Sequence, residues 1–561
     1  MIDSFHPIMR PAMMGALAKQ MNMAPALQGM LKKNFPATAG LLGNMSRLTP
    51  VFQNVPPGLD HYLPLVQTMR ANVDNYKQID ALPDFRLFTW FFVIPGALLA
   101  LLAAHGLGAF SAFTSLLRSL PTPDAGLPRM SVPARPPIIC SMRRRIVILG
   151  AGTGGTRTAN RLDRIYGDDA EIVVVDRDET HISQPALLFV PFGLAEPDEI
   201  VRPRPKQLRS GVEFRLGDVD RVETTENTVH LADGAALEYD ALVIASGATL
   251  LPEETEGLTG PGWGETVHTF YTLEGAVALR DALRTFDHGR LVVNMIDMPI
   301  KCPVAPLEFS FLADWYLRER GVRDDVELIY VTPLDSVFTK PVAAEHLSGL
   351  LESKGIHLET EFATGQVDGE TGKLVSWDDR EIRFDLLVSI PLHGGAEYVS
   401  RSPGLGDDLG FVLTDHHTLQ AQAAPNVFAI GDAANLPTSK AGSAVHFEGE
   451  TLASNIERLL AGEELKPSYD GHVNCFIESG FHKALLIDFN YEVEPLPGRY
   501  PDPHLGPLPL LKESRLNHLG RLAFQPLYWH VLLPGRDMPG IGANLSLAGK
   551  DLTAIGQGDH R

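Results

Sequence analysis

Three cysteines occur in the 561 residues: Cys140, Cys302 and Cys475. They are too few for a disulfide framework and lack the close spacing of a zinc site or a CxxC redox motif, so any partnership among them must be made by the fold. Cys302 sits in a turn, PIKCPVAP, between an apolar strand-like run at 290–295 and the start of a helix. A thiol at a helix N-terminus beside Lys301 is expected to ionise readily, because the helix dipole and the neighbouring ammonium both favour the thiolate. Such a thiolate is a nucleophile and an electron donor. The plain alternative is a small buried residue at a helix start. Cys475 lies in GHVNCFIESG, a polar stretch ahead of two apolar strand-like runs. Cys140, at the end of a Pro-rich stretch, is not assigned to a redox site.

The strand, turn and helix around Cys302 have the form of a dinucleotide-binding βα unit with no glycine in the turn. Without glycine the backbone cannot approach a pyrophosphate closely, and Pro303 and Pro306 remove amide donors. A nicotinamide dinucleotide is therefore not expected there in the usual mode. An intact version lies upstream in RRRIVILGAGTGGTRTANRL. A short apolar strand at 146–149 leads into Gly150, Gly152 and Gly155, then a helix, and a second strand at 171–175 ends on Asp176. The glycines permit a tight turn and a pyrophosphate at the helix N-terminus, and the acid suits a ribose hydroxyl.

Two later segments resemble signatures of flavoproteins that bind two dinucleotides. LEYDALVIASGATLLPE carries Ser246-Gly247, and APNVFAIGDAANLP carries Gly431-Asp432 ahead of a long helix. The resemblance implies FAD as cofactor, with Asp432 on the ribityl chain and the following helix aimed at the pyrimidine side of the ring. It also implies an α/β fold of two Rossmann-like dinucleotide-binding domains, the FAD domain discontinuous and the second inserted into it. The expected division is 1–86, a helical region of unassigned role; 87–110, a transmembrane helix; and 111–142, a linker. The FAD halves are expected at 143–251 and 384–467 around an insert at 252–383, followed by a cysteine and quinone region at 468–541 and a tail at 542–561.

Four stretches together are similar to the sulfide:quinone oxidoreductases: HISQPALLFVPFG, KCPVAPLEF, NVFAIGDAANLPTSKAGSAV and YDGHVNCFIESGFHKALLIDFNYEVEPLPG. The likeness spans roughly 143–535. It implies that Cys302 and Cys475 flank the flavin and are joined through one or more sulfur atoms, with the persulfide on Cys475 and Cys302 nearer the ring. Some members carry a glutamate where Glu308 stands, proposed as a proton acceptor; a solvated helix carboxylate is the alternative. Lys440 would face the flavin pyrimidine or a quinone carbonyl and stabilise negative charge. Some branches have a further cysteine after the Ser246-Gly247 motif, and its lack here resembles the two-cysteine branches. The implied substrates are sulfide, or a small persulfide or thiol, and a membrane quinone. A type II NADH:quinone dehydrogenase and a membrane-tethered non-catalytic flavoprotein scaffold or sensor are the competing readings.

The chain's charge and apolar runs bear on where it works. A net charge of −21 argues against nucleic acid, which needs clustered cations. The uncharged run LFTWFFVIPGALLALLAA at 87–104 is about long enough to span a bilayer, a buried helix or re-entrant hairpin being the alternatives. No signal-peptide pattern precedes it. Arginines accumulate after it, which favours a cell membrane with the catalytic body on the cytoplasmic side. At 508–535, Leu516, Leu519, Leu522, Phe524, Leu527, Tyr528 and Trp529 interleave with Arg515 and Arg521, as in a helix lying in a membrane interface against the lipid bilayer; a core-packing helix is the alternative. Phe476 and Phe481 are expected to line a quinone path or to pack in the core. A homo-oligomer is left open.

Overall fold

The computed structural model describes residues 143–501, 506–538 and 541–553. The region 1–86, the expected membrane span, the linker and Cys140 lie outside them. Four consecutive apolar residues, Ile146 to Leu149, are almost wholly buried. A strand apolar on both faces belongs in the middle of a parallel sheet covered on both sides. This strand, β1 (Arg144–Leu149), leads through the glycine turn into α1 (Thr153–Tyr166) and back to β2 (Ala170–Asp176). With β3 (Val212–Leu216), β4 (Ala241–Ile244) and a late strand at Val427–Ala429, they form a parallel sheet in which β1 has β2 on one side and β4 on the other.

A second parallel sheet repeats the design. Its strands are β5 (Val267–His268), β6 (Gly289–Met295), β7 (Val326–Val331), β8 (His357–Glu359) and β9 (Leu386–Ile390), in the order β5-β9-β6-β7-β8. Strand β9 follows the boundary expected at 383 and pairs with β6 along five residues, so the chain completes this sheet before returning to the first. The helix after β6 is α3 (Ala305–Glu319), preceded by α2 (Leu273–Thr285) and followed by α4 (Pro341–Ser353). The first sheet then receives β10, the strand Val427–Ala429, and α5 (Gly442–Ala461).

The C-terminal part begins with an antiparallel hairpin, β11 (Val473–Gly480) and β12 (Lys483–Phe489), with Cys475 opposite Ile487. Helix α6 (Arg515–Leu527) follows; Ser514 caps it by accepting the Asn517 amide at 3.0 Å. Only Asn517 of α6 is buried, while Leu516, Leu519, Leu522 and Leu527 are exposed. Helix α6 is therefore not packed as a core helix, but Tyr528 and Trp529, expected at a membrane interface, are buried with Leu532 and Leu533 in the segment after it, where core packing holds. Among the described residues no helix is long and apolar enough to cross a membrane.

The segment after α6 folds back onto the glycine turn. Tyr528 Oη lies 2.7 Å from His181 Nε2 and 2.8 Å from Thr153 Oγ1. Burial lowers the His181 pKa to about 4, so the ring is neutral. Its Nδ1, facing the Ala151 carbonyl at 3.2 Å, must then carry the proton, and Nε2 accepts from Tyr528. The buried Arg157 guanidinium donates to the carbonyls of Leu532, Arg536 and His446. A C-terminal segment so anchored has its backbone acceptors satisfied where water cannot reach.

Gly155 shows how tight the turn is. A Cβ there would lie 1.8 Å from the Gly150 carbonyl oxygen, a backbone atom with no freedom to swing aside. Gly155→Ala is expected to separate α1 from β1 at a cost of about 1–3 kcal/mol. The measurement is flavin absorbance per chain after purification, expected well below wild type; full loading would mean that the turn tolerates the methyl group.

Candidate active site

A cavity of about 900 Å³ runs from the glycine turn to the two cysteines. Gly150, Gly152, Asp176, Ser246, Gly247, Cys302, Glu308, Gly431, Asp432, Lys440 and Cys475 all line it, whereas Gly155 lies beneath, packed on Gly150. The structure thus gathers into one chamber segments spread over more than three hundred positions of sequence.

At the glycine end, nothing lies within 4 Å of where a Gly152 Cβ would be, so the first turn of α1 is open to a ligand. No side chain caps that helix, which leaves amide donors and the positive end of its dipole directed at the space. Asp176 Oδ2 accepts the Ala151 amide at 2.6 Å and pairs with Arg204, and burial pushes its pKa above the ordinary value. Ser246 Oγ accepts from Tyr398 Oη at 3.0 Å. The N-terminus of α5, also uncapped by a side chain, meets the far end of the same chamber at Gly442 and Ser443. An acid at the end of β2, two uncapped helix N-termini and a long cleft between them fit the shape and charge of FAD.

The cysteine end differs from the expectation in one respect. Helix α3 starts at Ala305 with Val304 as its cap, so Cys302 stands before the helix and not at its first amides. Both thiols are free and line the same cavity, and interaction with Cys475 together with burial holds the Cys302 pKa well above its usual value. Lys301 does not counter this: its ammonium is 3.4 Å from Gln184 Oε1, and burial lowers its own pKa. The cation that acts on Cys302 is Arg521. The readily ionised thiolate expected at this turn is thus replaced by a pair of free thiols.

Cys302 adopts φ +46°, the left-handed region that non-glycine residues enter at a cost of about 1–2 kcal/mol. Its backbone is held by three contacts. The Cys302 amide donates to the Lys440 carbonyl at 2.7 Å, and Tyr271 Oη donates to the carbonyls of Lys301 at 2.9 Å and Cys302 at 3.5 Å. Tyr271 precedes α2 and was invisible to motif reading. Cys475 lies within β11, not ahead of the strands as its polar neighbours suggested.

Glu308, on α3, is 3 % exposed, so the solvated-carboxylate alternative does not hold. It accepts the Glu478 amide at 3.0 Å and lies 3.8 Å from Arg521 Nε. Burial raises its pKa to about 7, with Arg521 pulling the other way. Arg521 was expected at a membrane interface; instead it turns inward, donates to the Pro185 carbonyl at 3.0 Å and covers the Phe189 ring. Lys440 lines the cavity, its ammonium donating to the carbonyls of Asp432 at 2.8 Å and Ala434 at 2.9 Å and lying 3.9 Å from the centre of the Phe411 ring. Phe476 lines the cavity, but Phe481 does not: it is exposed at the hairpin turn beside Lys354.

Comparison with known proteins agrees with this geometry. The pyridine nucleotide-disulphide oxidoreductase family matches residues 144–293. The chain is 27 % identical over 397 residues to the mitochondrial sulfide:quinone oxidoreductase of Dictyostelium discoideum, covering 70 % of this chain and 86 % of the relative. The mitochondrial sulfide:quinone oxidoreductase of Mus musculus matches with the same identity and coverage. Among solved structures, the sulfide:quinone oxidoreductase of the hyperthermophilic bacterium Aquifex aeolicus has the same fold, with a TM-score of 0.60 at 20 % identity, covering 71 % of this chain and 93 % of that one. With an FAD-type cavity lined by two free thiols, the chain is similar over 70 % of its length to the sulfide:quinone oxidoreductases.

Proposed function

We propose that the chain oxidises sulfide to sulfane sulfur through Cys302 and Cys475 and passes two electrons through FAD to a membrane quinone. The observation that carries this reading is the presence of two free thiols, on different elements, lining the one FAD-type cavity. FAD, when bound, supplies the two-electron acceptor on one side and donor on the other.

The chain's own residues account for the rest. In the oxidised protein the two sulfurs are bonded. Hydrosulfide attacks the Cys475 sulfur, its S–H proton goes to the Glu308 carboxylate, and the electron pair of the broken bond leaves on Cys302 as thiolate. Transfer of the terminal sulfur to an acceptor thiol or a second hydrosulfide frees Cys475 as thiolate. Re-forming the Cys302–Cys475 bond then releases two electrons to the flavin. Burial of Glu308 suits this role, because an acceptor near neutrality is both ionised often enough to take a proton and basic enough to hold it. The positive charge of Lys440, which lines the chamber, would favour a developing negative charge at that end.

The exposed leucines of α6 support contact with a lipid bilayer, from which quinone would reach the flavin. The apolar run at 87–104 and its arginine-rich flank support a membrane location with the catalytic body on the cytoplasmic side.

An anaerobic titration with sulfide, followed at the flavin band, tests the reading. Wild type is expected to bleach and Cys302→Ser to lose bleaching by orders of magnitude, as when a nucleophile is removed. Equal bleaching in both would reject the cysteine mechanism, and reduction by NADH but not sulfide would favour the dehydrogenase reading. A second expectation concerns pH. The Glu308 carboxyl must be ionised to accept a proton, so the rate of flavin reduction is expected to rise as pH increases through about 7. Glu308→Gln should slow reduction about 10²-fold and remove the part of the pH dependence that hydrosulfide's own ionisation does not supply. Rapid mixing across pH 6 to 9 separates the two contributions.

A further inference from the structure

Glu308 is buried, so a proton delivered to it must have somewhere to go. Three residues beyond Cys475 on β11, Glu478 offers its amide to Glu308 and directs its own buried carboxylate at α6. Glu478 Oε1 lies 2.6 Å from Nδ1 of His518 on α6. Arg521, one turn further along α6, acts electrostatically on both carboxylates. Side-chain exposure rises along this series, from 3 % at Glu308 to 5 % at Glu478 and 19 % at His518. The His518 ring in turn lies 5.5 Å from that of His482, which is exposed at the hairpin turn.

We propose that Glu478 and His518 form the exit by which the proton taken up by Glu308 reaches solvent. The proposal rests on the sulfide reading. Each transfer moves one proton and no electrons: from hydrosulfide to the Glu308 carboxylate, from Glu308 to Glu478, from Glu478 Oε1 to His518 Nδ1, and from the imidazolium to water. Burial pushes Glu308 up to about 7 and Glu478 up to about 8, so either carboxyl can be filled and emptied near neutral pH. Burial also lowers the His518 pKa, which favours release of its proton to water. The other charges around the path are Arg521 on α6, Lys354, which follows α4 and donates to the Ser479 carbonyl at 2.8 Å, and the Lys483–Glu513 pair at 3.9 Å beside the hairpin turn. The same contacts would also arise if Glu478 and His518 served only to fasten α6 to the hairpin, so the test must read proton movement and not stability.

The full flavin-loaded chain is mixed anaerobically with sulfide across pH 6 to 9, as wild type, Glu478→Gln and His518→Ala. Glu478→Gln is expected to slow flavin reduction about 10²-fold. His518→Ala is expected to slow it as well, and added imidazole is expected to restore the rate toward wild type, an effect a fastening role would not produce. Wild-type rates in both variants, or slow His518→Ala reduction that imidazole leaves unchanged, would overturn the exit. If His518→Ala loses flavin, His518→Gln is read by the same imidazole criterion. Failure of wild type itself to bleach with sulfide would reject the sulfide reading instead, so the two failures are distinguishable.

Discussion

The site depends on one backbone hydrogen bond, from the Cys302 amide to the Lys440 carbonyl. It joins the turn after β6, in the second sheet, to the loop that follows Asp432, at the end of the first. Both ends of that bond carry chemistry. On one side it fixes the thiol, and on the other it holds the loop whose lysine and aspartate face the chamber. Other contacts add to it, among them Lys301 to Gln184 and the core that Ala441 and Ala444 share with the second sheet. Tyr271 reinforces the arrangement by occupying the carbonyls that the turned-out backbone exposes.

Burial governs the chemistry around that bond. Glu308 and Glu478 have their neutral forms favoured because water is excluded from them, and Cys302 because of Cys475 first and burial second. Arg521 is the shared counterweight, opposing the shift at each of the three. A single guanidinium stacked over Phe189 thus biases a thiol and two carboxyls that come from separate elements. Its own orientation is set by the Pro185 carbonyl, within the stretch after His181 that was singled out for resemblance alone.

Much of the fold was legible because it is written locally. The apolar runs of β1 and β6, the glycine turn and the acid at the end of β2 are short patterns with direct backbone consequences. Cys302 was picked out by the turn it occupies, whereas Glu308 and Lys440 were picked out by resemblance, and the fold brings all three to the wall of one chamber. What was not legible depends on contacts between distant positions. Glu478 and Arg521 meet Glu308 across 170 and more residues, and no spacing rule predicts which way a side chain on α6 will turn. Arg521 looked like an interface cation because its neighbours are leucines, and it faces inward because a buried carboxylate waits there. The Cys302 thiol was misread for a related reason. Sequence adjacency suggested Lys301 as its electrostatic partner, whereas the fold supplies a second thiol.

The conformation of Cys302 has a consequence for how this turn could change. At φ +46° the backbone holds a shape that glycine would occupy without strain. Stability and reactivity therefore pull in opposite directions at this one residue. The substitution easiest on the backbone is the one that removes the sulfur, so improving stability without regard to activity would tend to erase the site at this point first.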